Sequence, residues 1–244
     1  MEDIEAVAVT QGPGLVGALL TGISCAKSIA YAMGIPLIAV DHLKAHIYSA
    51  LMGKDMPEFP FIGLVISGGH TRICLVKDFD DYVTLADTLD DAIGEAYDKV
   101  AKILGLGYPG GPVIDRIARN GDPFSIKFTC RGVKGGLDFS FSGIKTAVLY
   151  YVRRQKTENR KQKTEDTPRF LSGQGKQKVN KSHKKYHVED ISASFQEAVL
   201  RVVVDNTLKA MEQYNINTLA VGGGVSANSR FREMISKEAI FRKL

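Results

Sequence analysis

The sequence predicts an α/β fold, and two observations carry that expectation. Short apolar runs of strand length alternate with stretches of helical periodicity along the 244 residues. Several of those runs also end in a glycine-rich turn that opens a helix, which favours neighbouring strands joined right-handedly.

The first unit shows the pattern. Residues 4–9 read as a strand, Gly12, Pro13 and Gly14 as a turn, residues 15–33 as a helix stopped by Gly34, and residues 37–40, entered through Pro36, as the next strand. A helix over 41–51 follows. Residues 61–66 and 72–76 read as a hairpin joined at Ser67, Gly68, Gly69 and His70. Helices are expected over 91–104 and 113–118, separated by the loop from Tyr108 to Pro112, and then over 142–152 and 191–213. Residues 218–221 read as a strand, residues 222–224 as a tight loop, and residues 227–236 as a helix with Ser226 as its N-cap.

Composition narrows the function classes. At 44% hydrophobic content the chain can bury one or two cores, and with no Trp and 8% aromatics it holds no aromatic-rich row for stacking bases. Any contact with nucleic acid is therefore expected through charge and shape. Cys25, Cys74 and Cys130 are odd in number and lack C-x-x-C spacing, as reduced thiols of a cytoplasmic protein would be. Glu2, Asp3 and Glu5 have the wrong charge for a secretory or mitochondrial leader. The longest apolar stretch, 15–37, is interrupted by Gly17, Gly22, Lys27 and Gly34, which argues against a membrane span.

Charge is distributed unevenly. Residues 153–187 hold 12 Lys or Arg against 3 acidic residues, a local +9 in a chain whose total is +5. Nearly devoid of aliphatic residues, this stretch is expected to be a mobile insertion.

Four groups of residues bear on chemistry. His42 and His46 stand at i and i+4, so both imidazoles leave one helix face within reach of one metal ion. Two exposed helix histidines remain the alternative, and without a Glu after His42 the pair is not the zinc-protease motif. His183 and His187 share the spacing, but Lys181, Lys184 and Lys185 beside them would repel a cation. The Ser67–Gly68–Gly69 turn, and the glycines 222–224 before Asn228, could bring backbone N–H groups against a phosphate or carbamoyl group, with an ordinary hairpin turn and close strand–helix packing as alternatives. In the acidic run from Asp87 to Asp98, Asp90 and Asp91 suit a helix N-terminus. Asp98 lies beyond that turn, where a carboxylate could accept a ribose hydroxyl pair.

Taken together, residues 9–16 (VTQGPGLV), 40–46 (VDHLKAH), 65–71 (VISGGHT), 88–99 (TLDDAIGEAYDK), 108–115 (YPGGPVID), 138–146 (DFSFSGIKT), 194–197 (SFQE) and 222–228 (GGGVSAN) resemble the tRNA N6-adenosine threonylcarbamoyltransferase family, once labelled glycoprotease or O-sialoglycoprotein endopeptidase. The resemblance implies the two-lobed fold of the actin, heat-shock ATPase and sugar-kinase superfamily, here incomplete at both ends. Residues 1–90 would be the remainder of the first lobe, and residues 91–244 the second, with the basic insertion at 153–187 and the glycine-rich turn near 222–228. The implied reaction is acyl transfer from threonylcarbamoyl-AMP to N6 of the adenosine adjacent to the anticodon.

By the same resemblance His42 and His46 hold one divalent metal, iron or zinc. Val65, Ile66, Ser67, Gly68 and Gly69 line the adenylate, Asp98 holds its ribose, Gly111 and Asp115 flank it, and Asn228 reaches the adenine side. Implied partners are tRNA and proteins of the modification complex, TsaB and TsaE in bacteria, with no membrane. The family normally has a strand and a Glu-Thr-Ser-Cys-Asp type loop before the point where this chain starts, and beyond Leu244 an Asp-Asn segment supplying the third metal ligand. The stretch 153–187 is longer than usual for it.

Three other readings compete. An ATP-dependent phosphotransferase of the same superfamily would use the same turns, but its magnesium prefers oxygen ligands to the histidine pair. A noncatalytic scaffold would not need both histidines, Asp98 and Asn228. A protease would need a general-base carboxylate that the His42 helix lacks.

Overall fold

The computed structural model describes residues 3–52, 57–130, 136–165 and 187–242. The first layer is a parallel pair, β1 (Val7–Gly12) and β2 (Leu37–Asp41), with Val7 opposite Leu37 and Thr10 opposite Val40. Parallel strands need a crossover, and α1 (Val16–Met33) supplies it, packing on β1. Among the described residues α1 is the one helix long and apolar enough to cross a membrane, at mean hydropathy 1.3. Its buried residues are Ala26 and Ala30.

The second sheet runs in the order β5–β4–β3–β6. Its centre is β3 (Phe61–Ile66), flanked by antiparallel β4 (Thr71–Val76) and by parallel β6 (Leu219–Gly222), with Ile66 opposite Thr71 and Val65 opposite Gly222. One sheet thus takes strands from both sides of residue 90. All six residues of β3 are buried, which is why its sequence is continuously apolar instead of alternating. The period of two still sorts its side chains: Ile62, Leu64 and Ile66 enter the larger core, whereas Phe61 and Val65 pack against Leu43, Ile47 and Leu51 of α2 (His42–Leu51). Each such aliphatic burial stabilises by about 1.5–3 kcal/mol.

The larger core is closed by α3 (Ile93–Leu104), α4 (Gly110–Ala118), α5 (Ser142–Glu165) and α6 (Val188–Tyr214). After a 3-10 turn at Gly224–Ala227, α7 (Ser229–Arg242) adds Phe231 and Met234 to it.

Several elements differ from the sequence reading; the first strand is Val7–Gly12 where 4–9 was read and Gly12 placed in a turn, and α6 starts at Val188 instead of residue 191. Strand β5 (Tyr82–Asp87), antiparallel to β4, was not foreseen. Helix α4 starts at Gly110, three residues early, because Pro112 falls in a first turn whose N–H groups have no intrahelical partner. The N-cap of α7 is Asn228, not Ser226: Asn228 Oδ1 accepts the Phe231 amide at 3.0 Å. Helix α5 does not end at residue 152 but runs on to Glu165, through the start of the basic stretch. Arg, Lys, Gln and Glu are strong helix formers, and Arg154 pairs with Glu158 one turn on at 2.9 Å. The remainder of that stretch, 166–186 with His183, lies outside the described residues, and His187 is exposed just before α6.

Candidate nucleotide cleft and histidine pair

Asp41 sets where α2 begins. Its Oδ1 accepts the amides of Leu43 and Lys44, both at 2.9 Å, so the helix starts at His42 on the end of β2. His42 and His46 then face each other with ring centroids 4.5 Å apart. Behind them β6 closes tightly on α2: a Cβ on Gly222 would stand 2.2 Å from the His46 carbonyl oxygen. A third imidazole, His70, lies 5.9 Å from His42. The sequence reading treated His70 only as part of a turn, because the register that aims it toward α2 is tertiary.

Burial, and then the neighbouring His42 and His70, hold the His46 pKa below its usual value. His70 is lowered by burial and then by His42. Neutral imidazole is the form that coordinates a metal. Two imidazoles with ring centroids 4.5 Å apart on one helix face could each offer a nitrogen donor to one divalent cation. Among the described residues no group of three or more His, Cys, Asp or Glu side chains closes a metal site.

His70 belongs to the turn that joins this pair to a cleft. Ser67 donates its amide to His70 O at 2.8 Å, and His70 returns its amide to Ser67 Oγ at 3.1 Å. The start of α3 presses on that turn, since a Cβ on Gly94 would fall 2.6 Å from both Gly68 Cα and Ser67 O. Only glycine permits this approach.

On the far side of the turn is a cleft of about 560 Å³, lined by Gly68, Asp98, Gly111, Asp115 and Asn228, among others. The structure thus brings together five of the residues predicted from sequence. Val65 and Ile66 are instead buried within β3, and neither Ser67 nor Gly69 lines the cleft. A larger hollow of about 770 Å³ beside Leu137 and Asn206 is lined by none of them.

The polar groups of the cleft are tied to its walls. Asp98 Oδ1 accepts the Gly110 amide at 2.7 Å, fixing the start of α4. Asp115 accepts the Ser229 hydroxyl at 2.8 Å and the Ser229 amide at 3.3 Å, fixing the start of α7. Asn228 caps α7 with its oxygen and donates its Nδ2 to Gln196 at 2.8 Å. Two helix N-termini therefore open on the cleft, and α4 has no acidic residue in its first turn. Each of these starts already has a carboxylate on its first amide, Asp98 on Gly110 and Asp115 on Ser229.

With that geometry, comparison with known proteins decides the family. The sequence model of tRNA N6-adenosine threonylcarbamoyltransferase matches residues 1–243. The chain belongs to this family. The tRNA N6-adenosine threonylcarbamoyltransferase of Dictyoglomus turgidum is 48% identical over 242 residues, covering 98% of this chain and 65% of the relative. That of Caldicellulosiruptor saccharolyticus is 44% identical over 237 residues, covering 97% of this chain and 63% of the relative. The chain thus spans less than two thirds of the length of these relatives.

Among solved structures, HypF of T. kodakarensis superposes with a TM-score of 0.61 over 98% of this chain and 37% of its own. Full-length HypF in a phosphate- and nucleotide-bound form gives 0.62 over 98% and 42%. At 14% identity each, they show the fold alone, an α/β architecture shared with this chain.

In this member of the threonylcarbamoyltransferase family the acidic run does other work than expected. Helix α3 begins at Ile93, so Asp90 and Asp91 precede it, and Glu95 is the acid in its first turn. Asp90 accepts the Phe141 amide at 2.8 Å and the Ser142 hydroxyl at 2.7 Å, holding the start of α5. Asp91 takes Lys99 at 2.6 Å and Lys145 at 3.2 Å, joining α3 to α5.

Proposed function

We propose that this chain carries the adenylate-binding part of an acyltransferase that moves a threonylcarbamoyl group from threonylcarbamoyl-AMP to N6 of the adenosine beside the anticodon of tRNA. The observation that carries the reading is continuity. A single turn, Ser67 to His70, borders the cleft through Gly68 and faces the histidine pair through His70. An adenylate in the cleft would have its acyl phosphate end toward that turn.

Asp98 accepts a ribose hydroxyl with its Oδ2, which takes no hydrogen bond among the described residues, while Oδ1 holds Gly110. Gly111 and Gly68, both on the cleft lining with open space where a Cβ would stand, allow backbone approach. Val65, Ile66, Ser67 and Gly69 act by holding the turn in place. Asp115 and Asn228 shape the adenine side through α7. Iron or zinc held by His42 and His46 would supply positive charge beside the acyl group, and the lowered pKa of His46 favours the neutral ligand form. tRNA is the partner that the names of the relatives support, and a modification complex with TsaB and TsaE belongs to the same reading. Cytoplasmic residence without membrane attachment belongs to it too.

The test is calorimetric titration of the folded chain with AMP. The wild-type chain is expected to bind and Asp98→Ala to bind at least tenfold more weakly. Absence of binding to the folded wild-type chain overturns the reading.

A further inference from the structure

We propose that Tyr108 and Arg116, both exposed residues of the cleft lining, form a docking platform for one unpaired RNA nucleotide, the tyrosine stacking on its base and the guanidinium meeting its phosphate. This deepens the reading above by giving the RNA substrate a contact surface.

Both side chains line the cleft, yet stand mostly in solvent. Tyr108 is 84% exposed, whereas Tyr97, the other aromatic of the lining, is fully buried.

The loop that presents Tyr108 is held from two sides. Pro109 is the N-cap of α4, and the next residue, Gly110, is fastened by its amide to Asp98. Gly110 is also wedged so closely on α3 that a Cβ there would lie 2.6 Å from the Tyr97 carbonyl oxygen. A ring carried on such a loop loses little freedom on binding.

Charge completes the platform. Arg116 is exposed on α4 and has no carboxylate partner among the described residues. The carboxylates lining the same cleft are engaged, Asp98 by Gly110, and Asp115 by Ser229 and Arg119. An exposed ring, which is indifferent to base identity, in the same cleft lining as a guanidinium without a carboxylate partner among the described residues matches the chemistry of unpaired RNA better than that of a duplex, whose bases are already stacked. A single nucleotide contact also accords with the low aromatic content, which excludes a row of stacking side chains.

The experiment measures binding of the chain to a fluorescent RNA hairpin with an unpaired loop, to a fully paired RNA duplex, and to AMP. Tyr108→Ala is expected to weaken hairpin binding about tenfold, within the range for loss of one stacked base, and Tyr108→Phe to restore it. Arg116→Ala is expected to reduce the slope of log affinity against log salt by about one. AMP affinity is expected to change less than hairpin affinity in all three. Loss of AMP affinity with hairpin binding intact would assign both side chains to the nucleotide inside the cleft and overturn the platform. Equal loss on hairpin and duplex overturns the stacking role, and unaltered RNA binding in Tyr108→Ala and Arg116→Ala overturns the proposal outright. If wild-type chain fails to bind AMP, the reading of the cleft falls, while the RNA arm still decides the platform.

Discussion

The Asp98 carboxylate accepts the amide of Gly110 across 2.7 Å, so the residue assigned to the ribose is also the one that anchors the opposite wall of the cleft. Binding and architecture are coupled in one side chain, and two substitutions separate them.

Asp98→Asn keeps an oxygen for the Gly110 amide but removes the charge. It is expected to weaken AMP at least tenfold with stability within about 0.5 kcal/mol of wild type. Asp98→Ala leaves the amide without its acceptor, and is expected to weaken AMP and also to cost about 1–3 kcal/mol in denaturant unfolding. Equal stability of the two variants would show that the Gly110 contact contributes nothing.

His42→Ala and His46→Ala are each expected to abolish retention of iron or zinc, because loss of one imidazole leaves too few donors for a stable site. Elemental analysis after gel filtration of the intact protein decides this. Unchanged metal in both variants would remove the pair from the metal site.

The parts of this molecule that the sequence disclosed are those written in local patterns. Continuous apolarity marked β3, a helix was read straight after the strand at 37–40 where α2 stands, and the glycine turns at 67–69 and 222–224 each contribute a residue, Gly68 and Gly224, to the cleft lining. What stayed hidden depends on distant partners. Tyr82–Asp87 forms a strand because β4 offers it an edge. Asp90 caps a helix 52 residues further on. His70 meets His42 only once the hairpin register is set. Helix α5 outruns its apolar face because propensity alone continued it, and a periodicity argument does not see propensity.

Glu197 gives a pH-dependent prediction. It is buried on α6 between Arg201 and Arg230, each at 2.8 Å. Burial alone would raise its pKa, but the hydrogen bonds and charges of Arg230 and Arg201 outweigh that and lower it. The folded-state pKa is thus below the unfolded one, so the contribution to stability is full above about 4.5 and is lost as pH falls through the folded value. Glu197→Gln is therefore expected to cost about 1–3 kcal/mol at pH 7, with the difference from wild type shrinking below pH 4.5. Urea unfolding at pH 7 and pH 3.5 checks this, and a difference that grows on acidification would contradict it.

The basic stretch is expected to attract RNA over longer range than the cleft lining. Residues 166–186 carry Arg169, Lys176, Lys178, Lys181, Lys184 and Lys185 against the single acid Asp166, in a chain whose remainder outside 153–187 is net negative. A polyanion would be repelled by most of the surface, so a local cationic segment supplies the favourable field. Each phosphate that a cation neutralises in single-stranded RNA contributes roughly 0.7 to the slope of log affinity against log salt. Changing all six cations to Ser is therefore expected to lower that slope by at least one and to weaken tRNA binding at low salt, with AMP affinity unchanged. Arg116→Ala should lower it further in the same protein, because its contact is independent of the stretch. An unaltered slope in the sixfold variant, with folding verified by circular dichroism, would leave the stretch as a solvated loop and assign the whole electrostatic contribution to the surface around the cleft.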